Sequence, residues 1–196
     1  MLFIYFFPGF FSKLSFYKSL FRFFEGYDVW AKDINPSNIK IGKNAVLVGY
    51  SLGASWALQA WQNNRHAKLI LVDPVIGPLP FWRKGFITWF KYCMGEWKNN
   101  SLLHRIFTFD GFPLFKRFFI NIFKARELYK TDLKKILTQV PPENVKIIIG
   151  GNDDYFGGKY TAAFAEEHGI QVTTLKNVGH TWNAEVGRQV YDLAKT

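Results

Sequence analysis

Three side chains in this sequence have the types that nucleophilic acyl chemistry needs: a serine, an acid and a histidine. Ser51 stands between two glycines in Gly49-Tyr50-Ser51-Leu52-Gly53, where an apolar run gives way to a helical pattern. Asp153 and Asp154 follow Gly150-Gly151-Asn152, and His180 closes Asn177-Val178-Gly179-His180. A serine hydroxyl is a weak nucleophile until an imidazole accepts its proton, and the imidazole must be oriented by a carboxylate on its other nitrogen. Attack on a carbonyl then creates an oxyanion that requires preorganised N–H donors. The backbone N–H groups of Leu52, at a helix start, and of Phe10, after Pro8-Gly9, are the candidates.

Such residues work together only if the fold gathers them. Leu2–Phe7, Asp28–Ile34, Ala45–Gly49, Lys68–Asp73, Val145–Gly150 and Val172–Lys176 read as strands, rich in Val, Ile, Leu and Phe and mostly bounded by Gly, Pro, Asn or Asp. Ser12–Phe24, Gly53–Asn63, Lys159–His168 and Asn183–Lys195 read as helices between them. This alternation predicts an α/β, doubly wound fold with a mainly parallel sheet of about six strands. Ligands gather at the carboxyl ends of such strands, and the serine, the acid pair and the histidine each follow one. A glycine-flanked serine between a buried strand and a helix is the arrangement that lifts a hydroxyl above the sheet.

The rhythm breaks between Ile76 and Val140, where no good strand can be read. Phe, Trp and Lys recur there at three- and four-residue spacing, which predicts amphipathic helices with a bulky apolar face. The segment reads as a helical cap inserted into a single domain that spans residues 1–196. It also holds most of the excess charge behind the formal net +10, with twelve basic residues against four acidic ones between Phe81 and Ile136. Such a field favours an anionic partner, although it also describes a solvated basic face. Basic residues interleaved with aromatics fit an interfacial helix on an anionic membrane. Nucleic acid is not expected, because no recognised binding motif accompanies them.

The single cysteine, Cys93, cannot form an intramolecular disulfide, which fits a reducing, cytoplasmic compartment or a protein that needs no such staple. No Cys/His cluster has zinc-ligand spacing, and no metal or cofactor is implied. The apolar start of the chain has no basic n-region, and Pro8-Gly9 interrupts it well short of a membrane span, so Leu2–Phe7 reads as a buried strand rather than a leader.

The Gly49–Gly53 turn, the glycine-to-aspartate spacing after the Val145 strand and the late Gly179-His180 together resemble the α/β-hydrolase superfamily. The similarity runs from the first strand to the last helix and includes Leu69-Ile70-Leu71-Val72-Asp73-Pro74, similar to the strand that precedes the family's cap. The resemblance implies Ser51 as nucleophile, His180 as general base and Asp153 or Asp154 as the orienting acid. Asp153 is preferred, because the sequence from Asp153 to Phe156 is similar to a family turn. Asp73 is a third candidate acid, with an Asp-Pro turn at a strand end as its plainer role. The chain departs from the family in starting directly at the strand bearing the Pro-Gly turn, and in having Pro8 where many relatives have histidine.

Of the other histidines, His168 sits at a helix end closed by Gly169, His66 lies near another helix end, and His104 lies in the insertion. These readings converge on a serine hydrolase that cleaves an ester or thioester with an apolar acyl part, the aromatic cap lining the pocket. Two alternatives stand: a non-catalytic lipid- or membrane-binding protein on the same fold, and a cofactor-free lyase or haloperoxidase.

Overall fold

The computed structural model describes residues 2–9, 17, 22–24, 28–31, 41–42, 44–77, 132–153 and 156–196. Six strands occur among them: β1 (Phe3–Phe7), β2 (Asp28–Ala31), β3 (Ala45–Tyr50), β4 (Lys68–Val72), β5 (Val145–Gly150) and β6 (Gln171–Leu175). They form one sheet in the order β2-β1-β3-β4-β5-β6, and every neighbouring pair is parallel. Among the described residues, the helices of four or more residues are α1 (Leu52–Asn63), α2 (Leu133–Leu137), α3 (Gly158–Glu167) and α4 (Ala184–Lys195). A 3-10 turn at Pro142–Asn144 leads into β5.

The central strands are nearly continuous apolar runs because both sheet faces are covered. Successive side chains alternate between two cores. Ile4, Phe6, Val46, Val48, Ile70 and Ile148 face Val186, Val190 and Leu193 of α4. Phe7, Leu47, Leu69, Leu71, Ile147 and Ile149 face Ala57, Leu58 and Trp61 of α1, Leu137 of α2 and Ala165 of α3. The sheet is therefore doubly wound, as its sequence alternation predicts. The order reverses between β1 and β3, and in open parallel sheets ligands bind beyond the carboxyl ends of the strands at such a switch.

All six expected strands are present, with ends shifted by a residue or a few. The third extends to Tyr50, the fourth stops at Val72, and the sixth runs one residue earlier than expected. Asp73 leaves β4 because its φ of 45° is incompatible with an extended strand. The expected Ser12–Phe24 helix falls mostly outside the described residues, within which Tyr17 and Phe24 are buried in the α4-side core. Most of the expected cap, residues 78–131, also lies outside them, as do Cys93 and His104. The described part of the expected 76–140 insertion includes α2, whose Ile136 and Leu137 pack in the α1-side core and whose first turn is capped by Asp132 accepting from Lys135 N–H at 3.1 Å. No helix among the described residues is long and apolar enough to cross a membrane.

Candidate active site

Ser51 occupies the one-residue turn between β3 and α1, with φ 53° and ψ −120°. A non-glycine residue holds such a conformation only when its surroundings over-determine it. Ser51 N–H donates to Val72 O at 2.8 Å, and Ala54 N–H donates to Ser51 O at 3.0 Å. The flanking glycines explain how the turn closes. A Cβ on Gly49 would lie 2.7 Å from Gly53 O, and one on Gly53 would overlap the Phe7 carbonyl. Both glycines are thus needed so that α1 can start hard against β1 and β3.

The acid comes from the next strand but one. β5 ends at Gly150, whose missing side chain leaves room for the Gly179 carbonyl of the neighbouring loop. The chain then turns with Asp153 N–H donating to Gly150 O at 3.0 Å. Asp153 is buried, and its Oδ1 accepts from Phe156 N–H at 3.1 Å. Its Oδ2 lies 2.8 Å from His180 Nδ1. Asp154 lies outside the described residues, so Asp153 is the member of the pair that the structure brings to the imidazole.

His180 follows β6 on a loop ended by Asn183, whose side chain caps α4 by accepting from Val186 N–H at 2.9 Å. Its Nε2 is 2.8 Å from Ser51 Oγ. A continuous Ser51–His180–Asp153 relay therefore crosses the ends of β3, β6 and β5. With Nδ1 protonated and facing the carboxylate, Nε2 presents its lone pair to the serine hydroxyl. The arrangement can take the serine proton and hold the resulting imidazolium against a buried negative charge.

Two residues that the sequence reading did not single out steady the imidazole. The Phe156 ring stacks on it with centroids 4.0 Å apart. Tyr50 donates its hydroxyl to His180 O at 3.2 Å and packs its ring 5.6 Å from the imidazole. Their positions inside Gly49–Gly53 and directly after the Asp153–Tyr155 run were the only available signals. Of the expected oxyanion donors, Leu52 is the first residue of α1, whose N–H has no acceptor within its own helix. Phe10 lies outside the described residues. Gly9 N–H donates to the buried Tyr17 hydroxyl at 3.1 Å.

Asp73 is also drawn to this centre, but not into the relay. Its Oδ1 accepts from Gly150 N–H at 2.7 Å. Burial pushes its carboxyl up to about 7, and the charge of Asp153 acts in the same direction; His180 and the Gly150 hydrogen bond oppose them. Through that bond it ties the end of β4 to the end of β5. His168 has a structural role too, with Nδ1 2.8 Å from Phe164 O at the end of α3. His66 accordingly takes no part, lying exposed after Asn64.

The sequence profile of the alpha/beta hydrolase family matches residues 16–193. No curated protein matches the chain. A lipase-esterase related protein from Clostridium acetobutylicum ATCC 824 superimposes with TM-score 0.71 at 16% identity, covering 99% of this chain and 93% of the other. A carboxylesterase of the thaumarchaeon Nitrososphaera gargenis gives TM-score 0.62 at 13% identity, with 99% and 88% covered. A variant of the meta-cleavage product hydrolase CumD gives 0.68 at 15%, with 100% and 91% covered. At these identities the neighbours speak for the fold, and the profile match over most of the sequence speaks for descent. The chain belongs to the alpha/beta hydrolase family.

Proposed function

We propose that this protein is a serine hydrolase that cleaves an ester or thioester with an apolar acyl part. The observation that carries the reading is the pair of 2.8 Å contacts joining Ser51 Oγ, His180 and Asp153 at the end of a parallel sheet. In this reading Ser51 Oγ attacks the carbonyl carbon while its proton passes to His180 Nε2. The imidazolium, held by Asp153, then protonates the departing alcohol or thiol as the acyl–oxygen or acyl–sulfur bond breaks. Water repeats the sequence on the acyl-enzyme and releases the acid, with His180 again as base. Leu52 N–H, joined by that of Phe10, receives the oxyanion. The steps call for no cofactor.

The preference for an apolar acyl group rests on the aromatic density of residues 81–123. The basic residues of the same segment favour approach to an anionic membrane surface, which would present such substrates.

The test is intact-mass spectrometry after exposure to a fluorophosphonate. The wild type is expected to gain one phosphonyl adduct, and Ser51→Ala and His180→Ala to gain none on the same timescale. A folded wild type that takes no label refutes the reading and turns attention to vesicle binding.

A further inference from the structure

The chain leaving β1 lies beside the nucleophile and is held there by a side chain outside the relay. A Cβ on Gly9 would lie 3.3 Å from Ser51 Cβ and 2.8 Å from Tyr50 Cδ1, so the backbone at Gly9 passes directly against the serine. Gly9 is buried, and its N–H donates to the Tyr17 hydroxyl at 3.1 Å. We propose that Tyr17 is a positioning residue for the oxyanion side of the site: its hydroxyl fixes the Gly9 amide, and with it the place of the next amide in the loop. The proposal rests on the serine-hydrolase reading of Ser51 and His180.

The peptide joining Pro8 to Gly9 is constrained at both ends. Its N–H and C=O point in opposite directions because the unit is planar and trans. The N–H meets Tyr17, which is fully buried in the α4-side core. The carbonyl faces the other side of the sheet, since a Cβ on Gly53, in the first turn of α1, would lie 2.6 Å from Pro8 O. Rotating this peptide would take the N–H from its acceptor and turn a carbonyl into the apolar core. With the Gly9 N–H committed to Tyr17, the donor this loop can offer an oxyanion is the amide that follows, that of Phe10, as the sequence leads one to expect.

Tyr17 suits this task because its ring cannot swing. Phe6, Trp182 and Tyr50 meet it edge-on, with centroids 4.6, 5.5 and 6.1 Å away. Tyr50 belongs to the nucleophile turn and donates to His180 O, so one aromatic cluster sets the serine, the histidine loop and the chain after β1 relative to one another. Removing only the Tyr17 oxygen deprives a buried N–H of its acceptor, and the backbone must shift or admit water to compensate. An oxyanion donor works at about 2.7 to 3.1 Å from the developing charge, so a small shift there is costly.

The experiment compares labelling rates of the full chain with an alkyl fluorophosphonate and with its thiono counterpart, in which sulfur replaces the phosphoryl oxygen. Both reagents form the Ser51 Oγ–P bond and expel fluoride, but sulfur is the weaker hydrogen-bond acceptor and draws less from the oxyanion donors. Tyr17→Phe keeps the ring and deletes the oxygen. It is expected to slow the oxygen reagent about 10- to 100-fold and the sulfur reagent less than about 3-fold. Ile4→Val loosens the same core and leaves the hydroxyl in place, so it is expected to change both rates by one common factor. Should Tyr17→Phe fail to fold by circular dichroism, 4-fluorophenylalanine at position 17 replaces it, filling the place of the oxygen with a poor acceptor.

An oxygen-to-sulfur rate ratio that Tyr17→Phe does not lower overturns the proposal and leaves Tyr17 as core packing. An unlabelled wild type instead refutes the hydrolase reading itself, so the two failures are distinguishable.

Discussion

Replacing Asp73 by asparagine tests the electrostatics of the centre without any substrate. Asp73 is 2 % exposed, and its carboxyl titrates at about 7 in the folded protein against an ordinary value of 3.8. The folded value is the higher one, so the native state holds the extra proton between these two pH values. The unfolded chain has already released it. Stability from this group is therefore complete below pH 3.8 and is lost as pH rises through about 7. A gap of this size is worth about 4 kcal/mol in total at roughly 1.4 kcal/mol per pH unit, of which about 3 kcal/mol falls between pH 5 and pH 8. Asparagine cannot titrate but keeps an oxygen for Gly150 N–H. Urea denaturation of both proteins at pH 5, 6, 7 and 8 measures the contrast. The stability of Asp73→Asn relative to wild type should rise by about 3 kcal/mol across that range, equivalent to roughly 6 to 12 °C in Tm. Titrating groups remote from Asp73 are common to both proteins and cancel in the difference, leaving Asp73 and its coupling to Asp153 and His180. Parallel curves for the two proteins would refute the assignment of a protonated carboxyl at this position.

Asp153→Asn should lower turnover of a good ester substrate by about 10⁴-fold, through the wrong imidazole tautomer, while Asp154→Asn should change it by less than a factor of about 10; steady-state kinetics on the two variants decides which aspartate works. Gly53→Ala should destabilise the fold by about 3 kcal/mol or more, because its Cβ would overlap the Phe7 carbonyl. A denaturation midpoint equal to that of the wild type would show that α1 can move away from β1.

The fold was legible because its core strands are buried on both faces and therefore appear as nearly continuous apolar runs, as in Ala45–Tyr50. Ser51 was legible for a different reason: its turn tolerates only glycine on either side, and that steric demand is written directly into the sequence. The acid was legible only through the similarity of Asp153–Phe156 to a family turn. Both Asp153 and Asp154 follow a glycine at the same spacing, and the 2.8 Å contact of Asp153 with His180 depends on a loop pairing that the spacing does not contain. Tyr50 and Phe156 escaped notice because their contacts with His180 join residues far apart in sequence, and neither aromatic carries a local pattern that names its partner. Asp73 was read correctly as an Asp-Pro turn, yet its burial beside a second carboxyl depends on the pairing of β4 with β5, which no local window contains.

The relay spans 129 positions between Ser51 and His180, and this separation orders events during synthesis. The ribosome delivers β1, β3 and α1 long before it delivers β6 and the loop that bears the imidazole. Through most of translation the nascent chain thus carries a bare serine with no base beside it. In the proposed mechanism the serine gains its base only once β6 has paired with β5 and α4 has packed on the sheet. On that reading, a phosphonate adduct on Ser51 would report that the chain has folded at least as far as His180, and chains cut short before that residue should stay unlabelled.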